Sequence, residues 1–192
     1  LLLILLCVPL IGLGQQTYVP DDNFEQRLID WGYDNILDDY VTTSAIDTIT
    51  SLAIFGNYNI ADFTGIEDFI DLTILICWNN QITSLDVSNN PALTYLDFQN
   101  NQLTTLDVSN NPDLTYLDCA DNQLTTLDVG NNTDLTHLEC QYNQITSLDV
   151  SNNTSLDWLN CRTNQLTSLD VSNSTALTYL ECRSNPLTYL DI

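Results

Sequence analysis

Positive charge is almost missing from this chain of 192 residues. There is no lysine, and three arginines stand against 26 aspartates and glutamates, which gives a formal net charge of −23. Such a chain repels polyanions, so duplex DNA, RNA and anionic lipid surfaces are excluded as charge-driven partners. The apolar fraction of 44% is that of a globular protein, so the acidity does not indicate disorder. Methionine is also absent, even at position 1, which indicates a fragment or a processed chain.

Long apolar runs are absent except at the start of the chain. Residues 1–14, LLLILLCVPLIGLG, are almost wholly apolar but shorter than the run of about 20 residues that spans a membrane as a helix. The run is typical of the apolar region and cleavage site of a secretory signal peptide, although no basic start precedes it. We therefore expect a truncated signal peptide over 1–14, no membrane span, and a secreted or cell-surface protein.

The sequence does contain one internal repeat of 21 residues. Each regular copy reads L-x-x-L-x-[CFI]-x-x-N-x-[LI], and all but the last continue into L-D-V-[SG]-N. An irregular copy precedes them at 49–71, and the last regular copy is incomplete. The regular copies begin at Leu72, Leu93, Leu114, Leu135, Leu156 and Leu177.

This pattern resembles the leucine-rich repeat over about three quarters of the chain. The resemblance implies a solenoid of about seven coils over 46–192, with a parallel β-sheet on the concave face and a short irregular or extended convex side. The compact copies are similar to the repeats of the bacterial internalins. The motif L-T-x-L-D-V-S-x-N resembles the repeats of surface proteins of Bacteroidetes. The resemblance implies a protein-binding or adhesion module.

Residues 15–45 lack the repeat and predict an N-terminal cap, because a solenoid must cover the apolar surface of its first coil. The segment PDDNFEQRLIDWG predicts a short helix that begins at an aspartate or asparagine within 21–23 and ends at Gly32. The residues that share one face of this helix are Phe24, Leu28 and Trp31.

Strand alternation assigns a face to each position of the repeat, counted from its first leucine. Positions 1, 4, 6 and 11 are expected in the core, and the asparagines at positions 9 and 19 in hydrogen bonds to turn backbone. Position 6 is cysteine in five copies, and the interpretations are a buried ladder of thiols, disulfides between coils or a metal site. Parallel side chains suit a disulfide poorly, and thiols in a line do not form a tetrahedral cage. These residues are Cys77, Cys119, Cys140, Cys161 and Cys182.

Positions 3, 5, 7 and 8 are expected to face solvent on the concave side, where an aromatic row runs beside an acidic row. The rows either stack only to stabilise the sheet or form a recognition surface, because exposed aromatics offer rigid contact area. We favour a recognition surface for a protein ligand. The alternatives are a glycan stacked on the rings and a passive spacer that carries a further domain. The candidate ligand-binding residues are Tyr95, Asp97, Tyr116, Asp118, His137, Glu139, Trp158, Arg162, Tyr179, Glu181 and Arg183.

A third outward column consists of the aspartates at position 15 of each copy. Stacked coils lie about 4.8 Å apart, so neighbouring carboxylates repel by about 3–4 kcal/mol at an effective dielectric of 20. Hydrogen bonds from hydroxyls or amides could offset this repulsion, or Ca²⁺ could bridge adjacent coils. No cofactor is otherwise expected. The candidate calcium ligands are Asp107, Asp128, Asp149 and Asp170.

Catalysis is not expected from this sequence. It has no serine nucleophile elbow, no glycine-rich phosphate loop and no histidine-rich metal motif. His137, the only histidine, precedes Cys140 by three residues, but position 3 faces out and position 6 faces in. A uniform row of carboxylates also lacks a pair in distinct environments, which a glycosidase would need.

Overall fold

The structure, a computed structural model, describes residues 14–192. The predicted signal peptide over 1–14 therefore lies, apart from Gly14, outside the described residues. From residue 14 onward the chain forms one α-helix, eleven three-residue strands and two short 3-10 helices, Thr43–Ala45 and Ile66–Asp68. None of the described helices is long and apolar enough to cross a membrane.

The N-terminal segment contains helix α1 (Asp22–Asp30), as its sequence predicts. Asp21 begins it, since its Oδ1 accepts the N–H groups of the second and third residues that follow, at 2.9 and 3.1 Å. Phe24 and Leu28 are fully buried. Trp31, the C-cap residue of α1, is 43% exposed.

The cap is joined to the first coil by side chains of α1. Oδ2 of Asp21 accepts the N–H groups of Ala61 and Asp62 at 2.8 and 3.1 Å. Phe24 stacks on Phe63 with ring centroids 4.7 Å apart. These contacts cover the apolar end of the solenoid, as a capping segment must.

Two short strands complete the cap, β1 (Gln16–Tyr18) and β2 (Tyr40–Thr42), which pair antiparallel. The turn before β2 is held by Glu25, whose buried carboxylate accepts the N–H groups of Asp38, Asp39 and Tyr40 at 3.0–3.1 Å. Three amide partners compensate the carboxylate for the loss of water.

Seven strands, one from each coil, form a parallel sheet in chain order. Equivalent positions lie opposite each other, so Leu96 pairs with Leu75 on one side and with Leu117 on the other. This confirms the predicted parallel solenoid. The strands are β3 (Ser51–Ala53), β4 (Ile74–Ile76), β5 (Tyr95–Asp97), β6 (Tyr116–Asp118), β7 (His137–Glu139), β8 (Trp158–Asn160) and β10 (Tyr179–Glu181). A separate parallel pair consists of β9 (Ser168–Asp170) and β11 (Tyr189–Asp191).

The core follows the predicted positions of the repeat. Between residues 72 and 176, every side chain at positions 1, 4, 6 and 11 is fully buried. The equivalent side chains of the last copy are partly buried. One period of 21 residues and strand alternation thus determine the core.

The five cysteines at position 6 form a ladder of free thiols, four of them buried and Cys182 partly so. Burial raises the pKa of Cys161 to about 12 and raises the pKa of Cys77, Cys119 and Cys140 well above the ordinary thiol range. Protonated thiols among leucines pack as small apolar side chains, which is the first of the three interpretations. Cys7 lies outside the described residues.

The asparagines at position 9 join neighbouring coils. Asn101 donates from Nδ2 to the carbonyls of Phe98 (2.9 Å) and Cys77 (3.1 Å), and its Oδ1 accepts the N–H of Ile82 at 3.0 Å. At position 19, Nδ2 of Asn111 donates to two carbonyls of the preceding coil, both at 2.9 Å. The asparagine ladders therefore satisfy buried turn backbone, as predicted.

Candidate functional site

The surface of the seven-stranded sheet that points away from the core is called the sheet face below. It presents positions 3, 5 and 7 and corresponds to the side that the sequence predicts to be concave. A sharp turn follows six of the seven strands at position 8, where the backbone is left-handed with φ between 51° and 61°. The six residues in this conformation are Asn79, Asn100, Asp121, Tyr142, Thr163 and Ser184.

An aromatic row runs along the sheet face, made by position 3 of five successive coils. The rings of Tyr95, Tyr116, His137, Trp158 and Tyr179 stack one over the next. Successive centroids are 4.1, 4.6, 5.2 and 3.6 Å apart, and successive planes differ by 5–13°. Each of the three inner rings has another ring on both of its faces. Their edges, rather than their faces, are therefore presented to solvent.

The acidic row at position 5 is less accessible than predicted. Asp97 and Asp118 are only 6% and 5% exposed, although their side chains point away from the core. The side chains at position 3, and all those at position 7 except Ala120, are larger than aspartate, so the short aspartates end below the surface of their neighbours. The longer side chains reach further, and those of Glu139 and Glu181 are 13% and 23% exposed.

Burial changes the protonation of this row. Desolvation raises the pKa of Asp97 and raises the pKa of Asp118 to about 7, with further contributions from the negative charges of Asp97, Glu139 and Asp121. A hydrogen bond from the backbone N–H of Ala120 at 3.0 Å acts in the opposite direction. The Asp118 carboxyl is therefore poised to gain or lose a proton near neutral pH.

Glu139 connects the acidic row to the aromatic row. Its Oε1 accepts a 2.7 Å hydrogen bond from Nε1 of Trp158 and lies 3.4 Å from Nε2 of His137. Its Oε2 is buried and has no hydrogen-bond partner, and the same holds for Oε1 of Gln141 and Nε of Arg162. Unpaired buried polar atoms thus collect in the two adjacent coils that contain these residues.

The two arginines of the repeats lie at position 7, near the C-terminal end of the face. Arg162 lies over the ring of Tyr142, with its guanidinium carbon 5.3 Å from the ring centroid. Nε of Arg183 lies 3.4 Å from Oε1 of Glu181. Tyr142, which is 41% exposed, was not among the predicted site residues, because position 8 belongs to neither row.

A second aromatic pair lies at the other end of the sheet face and was also missed. Phe55 stacks on Trp78 with centroids 5.0 Å apart and planes 13° apart. Phe55 is 45% exposed. Trp78, at position 7, was the available signal, but Phe55 lies in the irregular copy, where the repeat pattern does not assign faces.

The aspartates at position 15 are held by hydrogen bonds. In five copies, Oδ1 accepts the backbone N–H of the residue two positions later at 2.9 Å. Hydrogen bonds from the serine there lower the pKa of Asp86, Asp107, Asp149 and Asp170. These bonds therefore outweigh the repulsion between neighbouring carboxylates. Calcium at Asp107, Asp128, Asp149 and Asp170 stays the alternative to these hydrogen bonds.

The His137 and Cys140 side chains are on opposite sides of the sheet, as predicted. His137 is half-buried in the aromatic row, whereas Cys140 is fully buried in the core. Since the layer of the sheet lies between them, they do not form a nucleophile–base pair.

Known proteins share this architecture. The family model "Leucine Rich repeats (2 copies)" matches residues 70–111. Internalin J of Listeria monocytogenes is 45% identical over 73 residues, which are 38% of this chain and 8% of that protein. The solved functional domain of InlJ from Listeria monocytogenes, described as including a cysteine ladder, is 36% identical with a TM-score of 0.55. The match covers 92% of this chain and 52% of that one. The chain folds as an internalin-like leucine-rich repeat solenoid.

Two further solved structures share this leucine-rich repeat fold. A leucine-rich repeat protein of Leptospira interrogans is 28% identical with a TM-score of 0.64, over 68% of this chain and 36% of that one. The internalin inlF of Listeria monocytogenes is 24% identical with a TM-score of 0.65, over 91% and 63%, and supports the fold alone. The chain thus spans about half, or less, of the first two solved relatives. Leucine-rich repeat solenoids commonly bind proteins.

Proposed function

We propose that this chain is a secreted or cell-surface module that binds a protein partner through its sheet face. The observation that carries the proposal is the stacked aromatic row. Each ring is held by its neighbours before any ligand arrives, so binding orders few additional side chains. Aromatic side chains fixed in this way are typical of the residues that dominate protein interfaces.

The geometry of the aromatic row supports a protein partner over a glycan. A sugar ring stacks on the face of an aromatic ring, but both faces of Tyr116, His137 and Trp158 are occupied by neighbouring rings. The exposed edges offer hydroxyl groups and ring C–H groups, which suit polar and apolar contacts from a protein surface.

The departures from the consensus support binding over a passive spacer. A spacer needs only the core and the asparagine ladders, which the near-identical copies already supply. The sheet face instead varies from coil to coil, with Ala120, His137, Trp158 and Arg162 each unique in its column or nearly so. The likeness to internalin J and the apolar run at 1–14 support export and a role in adhesion.

A binding comparison tests the proposal. The full chain would be immobilised beside Trp158→Ala and Gln123→Ala, an exposed residue outside the sheet face, and exposed to a surface-protein extract and a glycan panel. We expect a protein to bind the unmodified chain and Gln123→Ala, with binding lost in a Trp158→Ala variant that melts normally. Equal binding to all three chains would contradict a role for the sheet face.

A further inference from the structure

Within the described part of the chain, neighbouring coils are held together without a covalent bond between side chains. The five cysteines at position 6 are free thiols, and the sequence has no lysine for an isopeptide bond. The coils are joined instead by backbone hydrogen bonds, by the asparagine ladders and by core packing. A covalent link between coils therefore requires another kind of side chain.

One pair of stacked tyrosines bridges two neighbouring coils. Tyr95 on β5 lies directly opposite Tyr116 on β6, with ring centroids 4.1 Å apart and planes that differ by 5°. Carbon atoms of the facing rings are therefore close to their contact distance of about 3.5–4.0 Å. No other two tyrosines are adjacent in the aromatic row, because Tyr179 stacks on Trp158.

Both rings are within reach of an oxidant in solution. Tyr95 and Tyr116 are partly exposed at the surface of the sheet face, and their edges are presented to solvent. The thiols of Cys119 and Cys140, which are also oxidisable, lie on the other side of the sheet and are fully buried. An oxidant can therefore take electrons from the two phenols while the fold stays closed.

We propose that Tyr95 and Tyr116 are a site of oxidative modification, at which a one-electron oxidant joins the two rings as dityrosine. The class of oxidant is a peroxidase intermediate formed with hydrogen peroxide. The product is a carbon–carbon bond between neighbouring coils at the start of the aromatic row. This inference goes beyond the binding role of the sheet face and does not depend on it.

The chemistry of the link balances with one molecule of hydrogen peroxide. Each phenol gives up one electron and its hydroxyl proton, which leaves two tyrosyl radicals. Their unpaired electrons lie partly on the Cε carbons beside the oxygen, and two of these carbons form one bond. The hydrogen on each bonded carbon then moves as a proton to the oxygen of its own ring, which restores both phenols. The peroxide takes up the two electrons and the two released protons and becomes two water molecules.

Stacking, rather than exposure, sets the site of the link. Tyr18 and Tyr40 form a second pair across β1 and β2, and they are 48% and 47% exposed. Their centroids are 5.4 Å apart and their planes differ by 47°, so their ring carbons must move further to meet. Because proximity and alignment accelerate a reaction between two groups, coupling of Tyr95 with Tyr116 should exceed coupling of this more exposed pair.

Photo-oxidation of the dilute full chain with tris(bipyridyl)ruthenium(II) tests the site, with persulfate as the acceptor of the two electrons. Cleavage before aspartate places the two tyrosines in the separate peptides 86–96 and 113–117. Mass spectrometry should find these peptides joined, with the loss of two hydrogen atoms. Tyr116→Phe retains a ring in the stack without its phenol and should lose this product. Tyr40→Phe, which removes the more exposed pair, should retain it.

The same oxidation in urea separates the effect of the stack from the effect of the sequence. Unfolding removes the register of β5 and β6, so the yield of the joined peptides should fall to that of other tyrosine pairs. Equal yields from the folded and the unfolded chain would refute the site. A folded chain that joins Tyr18 to Tyr40 in place of Tyr95 to Tyr116 would refute it as well.

The link should also stabilise the fold. It closes a loop of one repeat of 21 residues, which restricts the unfolded chain as a disulfide across such a loop does. Oxidation should therefore raise the melting temperature of the unmodified chain by about 6–12 °C, with no rise in Tyr116→Phe. A lower melting temperature in the cross-linked chain would show that the link distorts the native register, and would contradict the proposal.

Discussion

The indole Nε1 of Trp158 donates a 2.7 Å hydrogen bond to Oε1 of Glu139 in the preceding coil. The bond joins the aromatic row to the acidic row across neighbouring strands. Trp158 is the only tryptophan at position 3, so this contact exists at one coil although the repeats are nearly identical. It also leaves Oε2 of Glu139 as the oxygen without a partner.

Replacing Trp158 by phenylalanine should destabilise the solenoid. The variant retains a ring in the aromatic row but removes the donor to Glu139, so the free energy of unfolding should fall by about 1.5–3 kcal/mol. Urea denaturation at pH 7 measures this change. Tyr179→Phe is the control, because its hydroxyl has no hydrogen-bond partner among the described residues. Equal losses in the two variants would show that the indole bond contributes nothing.

Thr163→Asn should stabilise the chain. Thr163 has φ of 55°, a left-handed conformation that costs a residue other than glycine about 1–2 kcal/mol and is disfavoured most by β-branched side chains. Asparagine occupies the same position in two other coils, at Asn79 and Asn100. We expect the free energy of unfolding to rise by about 1 kcal/mol. Thr167→Asn, at a position without positive φ, should bring no such gain; a similar gain there would contradict this explanation.

The stability of the fold should fall as pH rises through the range in which Asp118 ionises. Its pKa is about 7 in the folded chain and about 3.9 in an unfolded one, so the folded state binds the additional proton between these values. By linkage, ionisation of Asp118 lowers the free energy of unfolding by an amount on the order of 4 kcal/mol. This loss is complete above pH 7 and absent below about pH 4. Asp118→Asn should therefore raise the free energy of unfolding at pH 8 and not at pH 4.

Asp107→Asn is the matched control for this pH dependence. Hydrogen bonds from Ser109 lower the pKa of Asp107, so its charged form is favoured in the folded state. This contribution is present above the ordinary carboxyl pKa and disappears as pH falls through the lowered value. Asp107→Asn should lose stability at pH 8, opposite in sign to Asp118→Asn. If both variants were more stable at pH 8, the effect would come from the change in net charge.

Millimolar Ca²⁺ should leave the melting temperature unchanged. Each aspartate from Asp86 to Asp170 at position 15 already accepts a backbone N–H, so the column needs no cation to offset its repulsion. Thermal denaturation with and without CaCl₂ measures this. A rise in melting temperature that disappears in Asp149→Asn would instead support calcium between the coils.

The repeat made the core and the ladders predictable, but not the environment of single side chains on the sheet face. Leu138 and Cys140 were assigned to the core because each depends only on its position in the repeat. The burial of Asp118 depends on the sizes of its neighbours at positions 3 and 7 in several coils. The register of the strands predicts that the rings lie in one row. Only the distances between ring centroids show that each inner ring is covered on both faces by its neighbours.

Photo-crosslinking tests the central claim most directly. A photoreactive amino acid would replace Tyr142, beside Arg162 at the edge of the sheet face, or Asn110, an exposed residue in a turn away from it. Each chain would be irradiated with the partner captured from the surface-protein extract. The account predicts covalent capture from position 142 and none from position 110. Capture from position 110 alone would place the partner on another surface and contradict the account.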